Sequence, residues 1–161
     1  MVGPIALHEH VILAPMTGVS DLPFRQLVKS FGAPLVVSEM IASKAVIYDK
    51  DSAKRMADSE GHAGPFSIQL AGCEPDIMAE AAKLNEGRGA DIIDINFGCP
   101  VKKVVNGMAG SSLMRDEVLA GKILYATARS HGARDLKNAH GLEPRNAKRA
   151  KACTNCGRCG H

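Results

Sequence analysis

Asp91-Ile92-Ile93-Asp94-Ile95-Asn96-Phe97-Gly98-Cys99-Pro100 is the stretch whose reading decides the fold. Its first six residues are a short β-branched run, and the Gly-Cys-Pro that follows cannot continue a strand, so a strand is expected over Asp91–Asn96 with a loop behind it. Side chains alternate along a strand, which puts Ile93 and Ile95 on one side and Ile92, Asp94 and Asn96 on the other. Phe66–Leu70 repeats the pattern: Phe66, Ile68 and Leu70 share a side, and Ser67 and Gln69 face the other way. Working outward, Val11–Ala14 and Leu35–Ser38 are two further strand-like runs, and a small hairpin strand is expected near Pro4–Leu7. Helical patterns lie between them. Ser20 or Asp21 caps a helix with Pro23 in its first turn, Phe24, Leu27, Val28 and Phe31 as its apolar face, and Gly32 and Pro34 as its stop. Pro75 opens a second helix with Ile77, Met78, Ala81 and Leu84 on one face, ended by Gly87, and a third is expected from Arg115 to Ala126. Strands alternating with helices across short connections define an α/β fold with parallel strands. Two architectures fit. An α/β barrel would turn Gln69, Asp94 and Asn96 inward at the C-terminal strand ends, where barrel enzymes build their sites. A doubly wound sheet would use the same polar residues to hydrogen-bond its loops.

Composition narrows the function classes. The chain has 161 residues, 45% hydrophobic and 23% charged, with four Phe, two Tyr and no Trp. That suits one globular domain and is too short to close an eight-unit barrel, which takes about 250 residues. No apolar run reaches the roughly 20 residues of a membrane span, and the N-terminus lacks a signal-peptide pattern, so a soluble, cytoplasmic protein is expected. Five Cys, unevenly spread, do not make a secreted disulfide framework. The net charge of +3 hides an asymmetry, because residues 129–161 hold eight Lys/Arg against two Asp/Glu. The last aliphatic β-branched residue is Ile123 and the last aromatic is Tyr125. A globular segment over 1–126 and a basic, irregular tail over 127–161 follow.

Three strand-end segments carry a resemblance: Ala14-Pro15-Met16-Thr17-Gly18-Val19-Ser20-Asp21, Gln69-Leu70-Ala71-Gly72, and Asp94-Ile95-Asn96-Phe97-Gly98-Cys99-Pro100. With Lys102-Lys103-Val104 and Gly110-Ser111-Ser112-Leu113-Met114, they closely resemble the tRNA-dihydrouridine synthase family over residues 3–128. The resemblance implies the N-terminal half of a TIM (β/α)8 barrel, FMN as cofactor with NADPH as reductant, tRNA as partner, and reduction of uridine to 5,6-dihydrouridine. In that reaction reduced flavin gives a hydride to one carbon of the uracil double bond, and a general acid protonates the other. By resemblance the acid is Cys99, since a thiol ordinarily keeps its proton at neutral pH, and Pro100 restrains its loop. Pro15, Met16 and Thr17 match the loop on which the flavin lies. Gln69 points inward, where its amide suits the flavin's mixed donors and acceptors. Asn96 is expected at the uracil edge, with loop capping as the other reading. Lys102 and Lys103 are placed to meet tRNA phosphate. For Cys73 a structural role is expected.

The chain departs from the family after residue 128. Gly132–Leu142 stands where a strand reading like Val-Thr-Leu-Lys-Met-Arg belongs, and it lacks strand character. Asp135–Glu143 can be encoded so that a reading frame one nucleotide later gives Thr-Leu-Lys-Met-Arg-Thr-Gly-Trp, which suggests a frameshift near Arg129–Ser130. Lys137 stands where the family's flavin-contacting Lys is expected, but without its strand it is not assigned that role. With the later strands and their phosphate grip missing, the chain is expected to bind FMN weakly or not at all. Cys153, Cys156, Cys159 and His161 offer a competing signal, a metal- or nucleic-acid-binding tail on a non-enzymatic protein. An inactive fragment is the remaining alternative. No metal site is assigned.

Overall fold

A computed structural model describes residues 2–48, 51, 53, 56–58 and 64–130. Five strands occur in the described residues: β1 (Ile12–Leu13), β2 (Leu35–Val37), β3 (Ile41–Ala42), β4 (Phe66–Ala71) and β5 (Ile92–Ile95). The helices are α1 (Leu22–Ser30), α2 (Ser43–Tyr48), α3 (Pro75–Glu86), α4 (Lys102–Val105) and α5 (Glu117–Ser130), with a 3-10 helix over Gly110–Arg115 before α5.

All strand pairs are parallel. β1 pairs with β2, and β2 and β3 lie one after the other along β4, whose register with β5 runs from Ser67↔Ile92 to Leu70↔Ile95. The strand lines therefore follow one another in chain order. A doubly wound sheet reverses its order at a switch point; here there is none among the described residues, and the chain shows a parallel α/β sheet consistent with part of a TIM barrel.

Local sequence explains most element ends. The Asp21 carboxylate accepts from the Phe24 N–H at 3.0 Å, which caps α1 with Pro23 in its first turn. Gly32 follows the helix at a φ of +93°, a left-handed value that glycine adopts freely, and Ala33 N–H returns to Val28 O at 3.4 Å. α5 is capped by Asp116, whose carboxylate accepts from Leu119 N–H at 2.9 Å, with Glu117 in the first turn and Arg129 in the last.

The core sits between the sheet and the helices. Phe66, Ile68 and Leu70 of β4 pack with Met78, Ala81 and Ala82 of α3 and Ile123 of α5, with Ile93 and Ile95 against the same cluster. The small alanines let α3 approach closely. The opposite face of β4 and β5 carries Ser67, Gln69, Asp94 and Asn96, as alternation requires.

Several expectations need correction. The expected face of α1 is buried only in part: Phe24 is half-buried and Val28 packs against the core, but Leu27 is 52% and Phe31 83% exposed, and the side chain that goes fully inside is Arg25, at 0%. Its guanidinium donates to Ser20 O at 2.7 Å and to Asp58 O, and lies 5.1 Å over the Phe66 ring. Helical periodicity sees only hydrophobicity, whereas these carbonyls needed donors. The expected strand Leu35–Ser38 is found as β2, but its line resumes after a break as β3, which was not expected. Ile41 pairs with Leu70 while Val37 pairs with Ser67, so this line carries one residue more than the stretch of β4 it faces, a bulge. Near Pro4–Leu7 there is an isolated antiparallel bridge, Val2 to Ile5, rather than a hairpin strand. The last helix runs past Ala126 to Ser130 with Thr127 buried. The tail beyond, including Lys137 and the Cys153–His161 cluster, lies outside the described residues. No helix among the described residues is long and apolar enough to cross a membrane.

Candidate active site

Four chain segments converge at the C-terminal ends of the strands, each placed there by its strand. Pro15 and Thr17 come from the loop after β1, Met40 from the break before β3, Gln69 from β4, and Asn96, Gly98, Cys99 and Pro100 from the segment after β5. Together they line an open cavity of about 440 Å³, a size suited to a small organic ligand. Another surface cavity, of about 410 Å³, is lined in part by Lys29, Pro34 and Pro65, next to the chain entering β2 and β4. In α/β proteins of this kind ligands bind at the carboxyl ends of strands, so the cavity at Cys99 is the candidate site.

The polar residues of this cavity are tied into one network. Gln69 Nε2 donates to Asp94 Oδ2 at 2.5 Å, and Asn96 Nδ2 donates to Gln69 Oε1 at 2.9 Å. The Asn96 side-chain oxygen in turn accepts from Gly98 N–H at 3.1 Å and Cys99 N–H at 2.8 Å. Asn96 thus shapes the loop that carries Cys99, and among the described residues one of its side-chain N–H groups has no partner. Gln69 is 3% exposed and keeps one donor and one acceptor position beyond the network. Burial pushes the Asp94 carboxyl above its ordinary range, opposed by the hydrogen bonds from Gln69 and from the Ile95 N–H.

The bulge between β2 and β3 serves the same mouth. Opening the ladder there deprives Gln69 N–H of a strand partner, and the Ser38 hydroxyl accepts it at 3.0 Å while donating to Glu39 O at 2.8 Å. The Glu39 carboxylate reaches across to accept from Gly18 N–H, strapping the loop after β1 to the second strand line. That loop is further closed by Ser20, whose hydroxyl donates to Met16 O at 3.1 Å and accepts from Met16 N–H at 2.8 Å.

The Cys99 loop is also held from behind. Cys99 O accepts from Ser111 N–H at 3.0 Å. Gly110 has a φ of +62°, and a Cβ there would stand 2.5 Å from Cys99 O and 2.9 Å from Val104 Cγ1. Gly110→Ala is therefore expected to destabilise the chain by about 1–3 kcal/mol, from strained backbone plus an immovable neighbour. Gly89, at a φ of +95° with nothing within 4 Å, makes Gly89→Ala the control for strain alone. Urea unfolding of the two variants checks this, and equal losses would show that contact with Cys99 does not matter.

Of the residues singled out from sequence, Pro15, Thr17, Gln69, Asn96 and Cys99 meet in this cavity. Met16 is exposed and does not line it, its backbone being engaged by Ser20. Cys73 packs against the core. Lys102 and Lys103 open α4 just past Pro100 and are exposed. Met40, Glu39 and Ser38 were not anticipated. The apolar residues Met40 and Ile41 after Ser38 were the available signal that the second strand line resumes.

A parallel sheet with a cavity at its C-terminal strand ends is consistent with part of a TIM barrel. The dihydrouridine synthase family model matches residues 12–133, and the chain belongs to that family. Among relatives, it is 60% identical over 127 residues to the probable tRNA-dihydrouridine synthase of Rickettsia conorii, covering 78% of this chain and 38% of the relative. To the corresponding protein of Rickettsia bellii it is 58% identical over 130 residues, covering 80% and 40%. To tRNA-dihydrouridine synthase B of Xanthomonas campestris it is 50% identical over 129 residues, covering 80% and 39%. The chain thus spans about two fifths of the length of these relatives.

Proposed function

We propose that this chain carries the proton-donor half of a flavin-dependent site that reduces uridine in tRNA to 5,6-dihydrouridine. The observation that supports this most is the convergence of Cys99, Asn96 and Gln69 with Pro15 and Thr17 in one cavity at the strand ends. The residues present suit FMN: Gln69 keeps one free donor and one free acceptor, and Pro15, Thr17 and Met40 offer a largely apolar wall. Of the four residues expected to hold the flavin, Pro15, Thr17 and Gln69 line the cavity and would hold it there, whereas Met16 lies outside that lining. When bound and reduced by NADPH, the flavin supplies the hydride. The chain's own part is acid catalysis and positioning. Cys99 delivers its thiol proton to the second carbon of the uracil double bond, on a loop that Asn96 and Ser111 hold by its backbone. Asn96 offers its remaining N–H to the base. Lys102 and Lys103 meet the tRNA backbone, and the compartment is the cytoplasm, where tRNA is modified.

The test is to incubate the 161-residue chain with unmodified tRNA, excess FMN and NADPH, and to read dihydrouridine by nucleoside mass spectrometry. Dihydrouridine above a no-protein control is the expected result; none at any FMN concentration counts against an active site in this chain. The four strand lines among the described residues supply only part of a closed barrel, whose flavin phosphate is ordinarily gripped after the seventh and eighth strands. FMN is therefore expected to separate from the chain on gel filtration. Stoichiometric yellow protein after the column would overturn that expectation.

A further inference from the structure

Asp94 begins a directional chain of hydrogen bonds that ends at the backbone of Cys99. A carboxylate can only accept, so Gln69 must turn its amide nitrogen to Asp94 and its oxygen toward Asn96. Asn96 then donates to Gln69 and turns its own oxygen to the N–H groups of Gly98 and Cys99. A backbone N–H can only donate, so the far end demands the same direction. Reversing either amide would set donor against donor at one end and acceptor against acceptor at the other, inside a site where unpaired polar groups are costly.

We propose that Asp94 is a positioning residue: it fixes the amide polarity of Gln69 and Asn96, so that Asn96 presents a hydrogen-bond donor, and no free acceptor, to the cavity. The cavity wall at Asn96 therefore matches a carbonyl oxygen on the ligand and mismatches an amino group placed against it. On the function proposed above, which supplies the substrate but not the polarity, this favours a 4-oxo pyrimidine over a 4-amino one. Asp94 acts through two amides and need not touch the substrate. The influences on its carboxyl are burial, the Gln69 amide and the Ile95 N–H. Protonation converts Asp94 from an obligate acceptor into a group that can also donate, which removes the constraint at its end of the chain.

The experiment follows the side-chain amide signals of Gln69 and Asn96 and the backbone amide of Cys99 by ¹⁵N NMR, in the uniformly labelled 161-residue chain, as pH falls from neutral. All three are expected to move with one shared midpoint, that of the Asp94 carboxyl followed by ¹³C, and to lose this response in Asp94→Asn. An Asp94 carboxyl that titrates while the Asn96 and Cys99 signals stand still would overturn the proposal. Should acid unfold the chain first, Asp94→Leu at neutral pH decides. With the acceptor gone, iodoacetamide should alkylate Cys99 about fivefold faster, the scale of losing one buried hydrogen bond, while Cys73 in the same molecule keeps its rate. An unchanged Cys99 rate would overturn the proposal as well. The function reading fails separately, if Cys99→Ala still makes dihydrouridine while the shared titration persists.

Discussion

Cys99→Ala is expected to lower dihydrouridine formation by about 10²–10⁴-fold, the range that a positioned general acid contributes. The substitution removes only the sulfur from a half-buried residue whose hydrogen bonds, to Asn96 and Ser111, run entirely through its backbone. The loop should therefore keep its shape, and the urea midpoint should stay near that of the parent chain. Cys99→Ser makes the contrast sharper. It keeps a proton donor in place, but a hydroxyl is a far weaker acid than a thiol, so most of the rate should still be lost. The assay is dihydrouridine per tRNA against time, with FMN and NADPH in excess so that loose flavin binding does not mask the chemical step. A Cys99→Ala chain that keeps more than a tenth of the parent rate would leave the proton to some other group.

Arg25→Ala is expected to cost about 3–5 kcal/mol, most of the stability of a marginal domain. Arg25 is fully buried and gives the Ser20 and Asp58 carbonyls their donors while covering the Phe66 ring. Truncation leaves a cavity the size of a long side chain and two carbonyls without those donors. Burial lowers the Arg25 pKa, while the nearby carboxylates of Glu39, Asp21 and Asp58 oppose the shift, and a guanidinium stays charged in proteins. The cost is therefore not relieved at any working pH. Arg25→Met separates the two contributions. It fills much of the space but donates nothing, so it should recover the packing part and retain a loss of about 1–3 kcal/mol. Urea unfolding followed by far-ultraviolet circular dichroism measures both. Arg25→Ala with a midpoint equal to the parent's would mean that the buried guanidinium contributes no net stability.

Much of this was legible in the sequence because it depends on local rules. Alternation along Phe66–Leu70 and Asp91–Asn96 put the apolar residues toward the helices and Gln69, Asp94 and Asn96 on the other face, which is where they lie. Asp21, Pro23 and Gly32 bounded the first helix through capping and backbone preference. The motif around Asn96–Pro100 pointed to the family that the model match and the relatives then showed. The same local rules misjudged α1, because periodicity scores Leu27 and Phe31 as core and has no means of scoring a donor needed by two distant carbonyls.

By itself, then, the sequence determined the parallel α/β class and the family, since strand periodicity, caps and short motifs are properties of neighbouring residues. Only the tertiary structure decided how the site is held. The bulge that brings Met40 to the cavity, the strap from Glu39 to Gly18, the seat of Cys99 against Gly110 and the direction of the Asp94–Gln69–Asn96 chain all join residues far apart in the sequence. Each is settled by the need to pair a buried donor with an acceptor, or by the space one backbone leaves for another, and those demands exist only once the strands stand side by side.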